Sequence, residues 1–202
     1  GKQVSLYTLH AGEITMQVTN YGARVVTLWA PDKSGNQEDI VLGYNNLDNY
    51  VNNPGERFLG AVVGPYANRI AKGTYTIGDQ VYNFPQNNNG QTLHGGLKGL
   101  DMVVWDVDTL TANSIVLSYL RPDGQEGMPG NLKIVMTYTL TPENEFRVDY
   151  LAETDKTTHV NISHHSFFNL KGEGNGTIND HVLYINASRT TPVDSKLIPT
   201  GE

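Results

Sequence analysis

The chain contains no cysteine. Disulfides, a thiolate nucleophile and any Cys-based zinc site are therefore excluded, while the compartment stays open, because both reducing and oxidising locations hold cysteine-free proteins. Charge of one sign is also scarce: 14 Lys and Arg stand against 21 Asp and Glu, a net charge of −7, and no cluster of basic residues could track a phosphate backbone. Nucleic acid is not an expected partner. No apolar run is long enough to span a bilayer, so no membrane-crossing helix is expected. Sustained 3.6-residue periodicity is missing as well, which argues against a helical fold.

What is present is period two. In Glu13 to Thr19, Ile14, Met16 and Val18 share one face, while Glu13, Thr15 and Gln17 share the other. The same alternation runs through Leu132 to Leu140 and Phe146 to Tyr150, with Thr141-Pro142-Glu143-Asn144 as the turn between them. Thr74 to Ile77 and Val81 to Phe84 flank Gly78-Asp79, where glycine supplies the positive φ of a tight hairpin. A third hairpin is expected between Val103 and Leu120. With 21 glycines and 9 prolines punctuating short strands, the expected class is all-β, a large antiparallel β-sandwich. The 202 residues have room for one large domain or two small ones, burying roughly 70% of the unfolded surface. Loops richest in Gly, Asn and Pro are Tyr44 to Glu56, Pro85 to Gly99, Pro122 to Gly130 and Lys171 to Asn179, and function on sandwiches concentrates in such loops.

Three polar constellations stand apart from the strands: Tyr66-Ala67-Asn68-Arg69-Ile70, Thr92-Leu93-His94-Gly95-Gly96 and Ser163 to Leu170, which reads SHHSFFNL. Taken singly, an Arg beside an apolar strand is usually a surface charge and a His before two glycines a loop residue. Together they suit an uncharged polyol: Asn and Arg offer fixed planar hydrogen-bonding groups, and histidine moves protons near neutral pH. His159, His164 and His165 do not follow a known ligand spacing, and strand alternation sends His164 and His165 to opposite faces, so no metal is expected. His10 and His181 read as surface or strand-end residues. Sequons at Asn161, Asn175 and Asn186 acquire meaning only in a secretory pathway.

Five ordered segments resemble the aldose 1-epimerase (galactose mutarotase) family: Tyr66 to Ala71 (YANRIA); Leu93 to Gly96 followed by Lys98-Gly99 and Trp105; Asp123 to Leu132 (DGQEGMPGNL); His164 to Leu170 (HHSFFNL); and Thr191 to Glu202 (TPVDSKLIPTGE). Tyr21-Gly22-Ala23 and Val41 to Tyr44 are similar to the family too, so the resemblance spans nearly the whole chain. It implies a galactose mutarotase-like sandwich over residues 1–202 as a single domain, incomplete at its C-terminal side. It also implies an isomerase that interconverts the α and β anomers of free aldohexoses such as galactose and glucose, without a cofactor.

Residue by residue, the resemblance implies that His165 protonates the ring oxygen, that His94 assists, that Asn68 and Arg69 hold hydroxyls, and that Phe167 sits beside the ligand where the family more often has Tyr. His164 replaces a usual Asn, and Pro65 stands where Arg is common. The family's catalytic base, a glutamate, has no counterpart in this chain; Glu202 and Glu126 belong to other motifs. A C-terminal companion that supplies the base is therefore an expected partner besides the aldose, and the chain alone is expected to be impaired. The start at Gly1-Lys2, without methionine, points to a trimmed or processed product. The expected location is the cytoplasm, with a periplasmic or secreted one open if a leader has been removed. A non-catalytic carbohydrate-binding module on the same scaffold is the alternative. A mutarotase of phosphorylated sugars would want more basic residues than Arg69.

Overall fold

A computed structural model describes residues 1–202. Strands β1 (Leu6–Ala11), β2 (Ile14–Thr19), β3 (Arg24–Pro31) and β4 (Gln37–Asp39) form an antiparallel meander in that order. The expected strand at Glu13 to Thr19 is β2, with Ile14, Met16 and Val18 on its buried face. A helix α1 (Leu47–Asn52) follows inside the loop expected at Tyr44 to Glu56. It is only six residues long, too short to show a helical period. Asn46 caps it by accepting from the Asn49 N–H, and Tyr50 anchors it in the interior.

The middle of the chain is made of short pieces: β5 (Val62–Val63), β6 (Arg69–Ile70), β7 (Thr74–Ile77), β8 (Gln80–Asn83) and β9 (Thr92–Leu93). β7 and β8 form the expected hairpin about Gly78-Asp79, and β6 pairs with β9. Strands β10 (Asp106–Leu110), β11 (Ser114–Arg121), β12 (Leu132–Leu140) and β13 (Phe146–Thr154) make the second meander. A last short strand, β14 (Ser163–His164), returns to pair with β5.

The two meanders stack. Leu9, Met16, Val18, Val25 and Leu28 from the first share one apolar core with Ile115, Leu117, Ile134, Met136, Tyr138 and Leu140 from the second. Each fully buried aliphatic side chain there contributes roughly 1.5–3 kcal/mol. The Tyr138 hydroxyl crosses between the sheets, donating to the Ala23 carbonyl at 2.9 Å, and its complete burial pushes its pKa well up. Strict alternation holds along β12, as its sequence demands. It fades along β13, where Phe146 and Val148 are half-buried but Tyr150 and Leu151 face solvent at the open edge of the sheet.

No helix is long and apolar enough to cross a membrane. Beyond Asn169 the chain runs as turns and bends, with Val182, Leu183, Tyr184 and Ile185 between 66% and 96% exposed. Four consecutive apolar residues of this kind, without a charge, are a template for strand addition. Changing Leu183→Lys and Ile185→Lys together is expected to lower self-association at high concentration, measured by light scattering; unchanged scattering would show that the run is inert.

Candidate functional site

The three polar constellations come together beside β5. From β14, His164 enters the sheet and His165 follows, its N–H donating to the Ala61 carbonyl at 2.8 Å. The ladder of β6 and β9 is prolonged by a reciprocal pair: the His94 N–H donates to the Asn68 carbonyl at 3.1 Å, and the Asn68 N–H donates to His94 Nδ1 at 3.0 Å. Asn68 and His94 both take the left-handed conformation, with φ of 64° and 52°. Gly95, at φ 90°, lies against the Gly64 carbonyl so closely that a Cβ there would collide with it. A glycine is thus needed directly after His94.

The imidazoles of His94 and His165 meet edge to face, with ring centroids 5.0 Å apart. Phe58 packs on both, at 4.7 Å from His94 and 5.6 Å from His165, and Phe167 lies 5.1 Å from His165. Arg69 Nη1 donates to Asn68 Oδ1 at 3.2 Å and Nε donates to Asn88 Oδ1 at 3.2 Å, which holds the guanidinium next to Asn68. All five expected site residues, Asn68, Arg69, His94, His165 and Phe167, therefore belong to one connected neighbourhood.

His164 does not. Its ring packs edge-on against Tyr138 and Phe146, and Nε2 lies 3.2 Å from Ser166 Oγ, on the core side of the strand. The expected opposite placement of the two adjacent histidines follows from strand alternation. His10 is exposed on β1, and the half-buried His181 takes the Leu170 N–H at 3.0 Å.

Electrostatics divides the roles. Burial, then the neighbouring His165, Arg69 and Arg57, push His94 down to about 4. At neutral pH it is therefore uncharged. Because Nδ1 accepts from the Asn68 N–H, its proton sits on Nε2, leaving Nε2–H as a fixed donor. Burial and then His165 push His164 down to about 4 as well. Unfolded histidines bind protons below about 6.5, so between that value and about 4 the unfolded state holds more protons than the folded one. Stability contributed by these two groups is full above about 6.5 and falls with acidification towards about 4. Urea midpoints across that window are expected to drop on acidification. His164→Phe should make the drop shallower, and an unchanged slope would contradict the buried-neutral assignment.

Sequence reading missed the charged residues beneath the site. Arg24 is fully buried; its Nη1 donates to the carbonyls of Arg57 and Leu59, both at 2.9 Å, and its Nη2 to that of Asp101 at 3.0 Å. The guanidinium also lies over the rings of Tyr50 and Tyr21. The buried Asp101 carboxylate is held bidentately by Arg57, Nε to Oδ2 at 2.7 Å and Nη2 to Oδ1 at 3.0 Å. Glu126, in the loop expected at Pro122 to Gly130, uses Oε2 to accept the Leu97 N–H at 2.7 Å and so tethers the turn after His94. The available signal was a lone charge inside an apolar run, as in Leu100-Asp101-Met102-Val103-Val104, which buries only when paired.

A cleft of about 240 Å³ elsewhere, lined among others by Val4, Leu6, Val26, Tyr44 and Tyr50, includes none of the site residues.

The fold and site define a class: an antiparallel β-sandwich carrying an imidazole pair flanked by Asn, Arg and aromatic side chains. A model of the aldose 1-epimerase family matches residues 5–202, and the chain belongs to that family. It is 41% identical over 201 residues to a galactose mutarotase from Mus musculus, covering 100% of this chain and 58% of that protein. It is 33% identical to an aldose 1-epimerase from Haemophilus influenzae, covering 100% of this chain and 58% of that protein. Among solved structures, an aldose epimerase homologue from C. elegans superposes with a TM-score of 0.92 at 29% identity, over 99% of this chain and 61% of the other. The chain thus spans about three fifths of the length of these relatives.

Proposed function

We propose that residues 1–202 form one domain that carries the acid side of an aldose 1-epimerase site, for interconverting the α and β anomers of a free aldohexose such as galactose or glucose. The observation that carries this reading is the His94–His165 pair, edge to face at 5.0 Å and held among Asn68, Arg69, Phe58 and Phe167.

The reaction needs a proton delivered to the ring oxygen while another is taken from the C1 hydroxyl. The ring then opens, the C1–C2 bond turns, and the proton transfers reverse on closure. His165 is the proposed proton donor to the ring oxygen. His94, neutral and with its donor fixed on Nε2, is better suited to holding a sugar oxygen than to giving up a proton. Asn68 and Arg69 offer an amide and a guanidinium for hydroxyls. Phe167 offers an apolar edge without a hydroxyl.

The proton taken from the C1 hydroxyl needs a base. The ionisable groups that act on His94 are His165, Arg69 and Arg57, with no carboxylate among them. The nearby acids are committed, Asp101 to Arg57 and Glu126 to the Leu97 N–H. The proposed reading therefore takes the base from outside residues 1–202. A binding module would have no use for a proton donor at His165, which favours the enzyme. Because one cation, Arg69, stands beside Asn68, an uncharged sugar suits the site better than a phosphorylated one.

Titrating the protein with D-galactose tests the location. Side-chain NMR signals of His94, His165, Asn68 and Arg69 are expected to shift together with one saturation curve, while that of His164 stays in place. Shifts confined to another surface would refute the site.

A further inference from the structure

We infer that Arg57 and Phe58, neither of them a member of the expected sugar-contacting set, are the positioning residues of the imidazole pair. The inference rests on the proposed role of that pair. The Phe58 ring packs on both imidazoles, 4.7 Å from His94 at an interplanar angle of 66° and 5.6 Å from His165 at 41°. The Arg57 guanidinium lies over the same Phe58 ring, 5.0 Å from its centroid. That guanidinium is not free to move: Nε and Nη2 grip the two oxygens of the buried Asp101, and Nη2 also reaches the Leu97 carbonyl at 3.2 Å. The Phe58 backbone is fixed as well, its N–H donating to Glu56 Oε1 and its carbonyl accepting from the Ala61 N–H.

The result is a stack with a rigid base. Asp101 is fully buried, and its own backbone carbonyl is held by Arg24, which also holds the Arg57 carbonyl. One buried network thus joins the segment bearing Phe58 to the segment that runs from His94 to Asp101. A bidentate guanidinium fixes direction as well as distance, which an ammonium cannot do. The ring of Phe58 excludes water from one side of His94 and limits how far the two imidazoles can tilt. Edge-to-face contacts of this kind contribute beyond their buried area and depend on ring orientation.

NMR of the folded chain tests this without sugar, so the outcome is independent of whether the proposed reaction is correct. In the unaltered protein, cross-relaxation is expected between the Phe58 ring and the ring protons of His94 and His165. Arg57→Lys keeps the positive charge that faces His94, beside the Arg69 guanidinium and the titratable His165, but removes the fork. The Phe58 cross-peaks are then expected to be lost or weakened several-fold, and the His94 titration midpoint to climb from about 4 towards 6.5. Phe58→Leu leaves the Arg57–Asp101 pair intact and carries the test by itself, with the same climb of the His94 midpoint expected. A merely structural part for Arg57 would lower the urea midpoint yet leave both signals of the folded state in place. Unchanged cross-peaks in Arg57→Lys, or an unmoved His94 midpoint in Phe58→Leu, would overturn the inference.

Discussion

His165→Ala is expected to slow anomer interconversion by the active protein about 10²–10⁴-fold, the usual worth of a positioned general acid. In activation free energy this is roughly 3–5 kcal/mol, at about 1.36 kcal/mol per tenfold. The size follows from the role proposed for His165, protonation of the ring oxygen. Without an acid, the ring oxygen must leave as an alkoxide, and neither neighbour replaces the proton: His94 is held neutral with its Nε2–H as its only ring donor, and the Arg69 guanidinium is tied to Asn68 and Asn88. The fold is expected to survive, because the His165 backbone bond to Ala61 does not involve the side chain. His164→Phe is the matched control. It alters the adjacent histidine, which faces Tyr138 and Phe146 in the core, and should leave the rate near its original value. Equal losses in the two variants would mean that the imidazole at 165 has no special part.

The largest effect on stability is expected at Arg121. This residue is 2% exposed, and its guanidinium gathers the loop that follows: Nη1 donates to the carbonyls of Pro122, Gln125 and Met128, and Nη2 to those of Pro129 and Gly130. The last three bonds are buried, at 2.9, 3.0 and 2.7 Å. Arg121→Met keeps much of the apolar stem but leaves the Pro129 and Gly130 carbonyls without a donor, while the Met128 carbonyl keeps the Gly124 N–H. At about 1 kcal/mol or more for each of the two buried orphans, the loss is at least about 2 kcal/mol, a large share of the roughly 5–15 kcal/mol that holds a domain folded. Urea unfolding of the variant should show a markedly lower midpoint with an unchanged slope. A midpoint within error of the original would show that water replaces the guanidinium at no cost. The loop is also tied to the turn after His94, through Glu126 to the Leu97 N–H and Gln125 to the Lys98 carbonyl. The His94 signal should therefore report the same substitution.

How much of this could be read in the residues depends on the kind of order involved. The hairpins were legible because their strands are half-buried and alternate, as β12 does along its whole length. The helix at Leu47–Asn52 was not, because six residues in a loop rich in Asn carry no period. For the site, resemblance picked out Asn68, Arg69, His94, His165 and Phe167, yet residue patterns could not show that chain segments nearly a hundred positions apart would meet, since that contact depends on β14 pairing with β5. The support beneath them was invisible for a different reason. Arg24, Arg57 and Asp101 look like ordinary surface charges until the fold buries them together, and only the spacing of lone charges within apolar runs hints at it.

Polarimetry on freshly dissolved α-D-galactose tests the central claim most directly. It should be run with residues 1–202 alone and with the same residues joined to the part of the mouse relative that their alignment leaves uncovered. The account predicts little acceleration by residues 1–202 alone, clear acceleration by the joined protein, and loss of that gain with His165→Ala. A joined protein that binds galactose but approaches anomeric equilibrium no faster than the sugar in buffer would contradict the account and leave a binding module in its place.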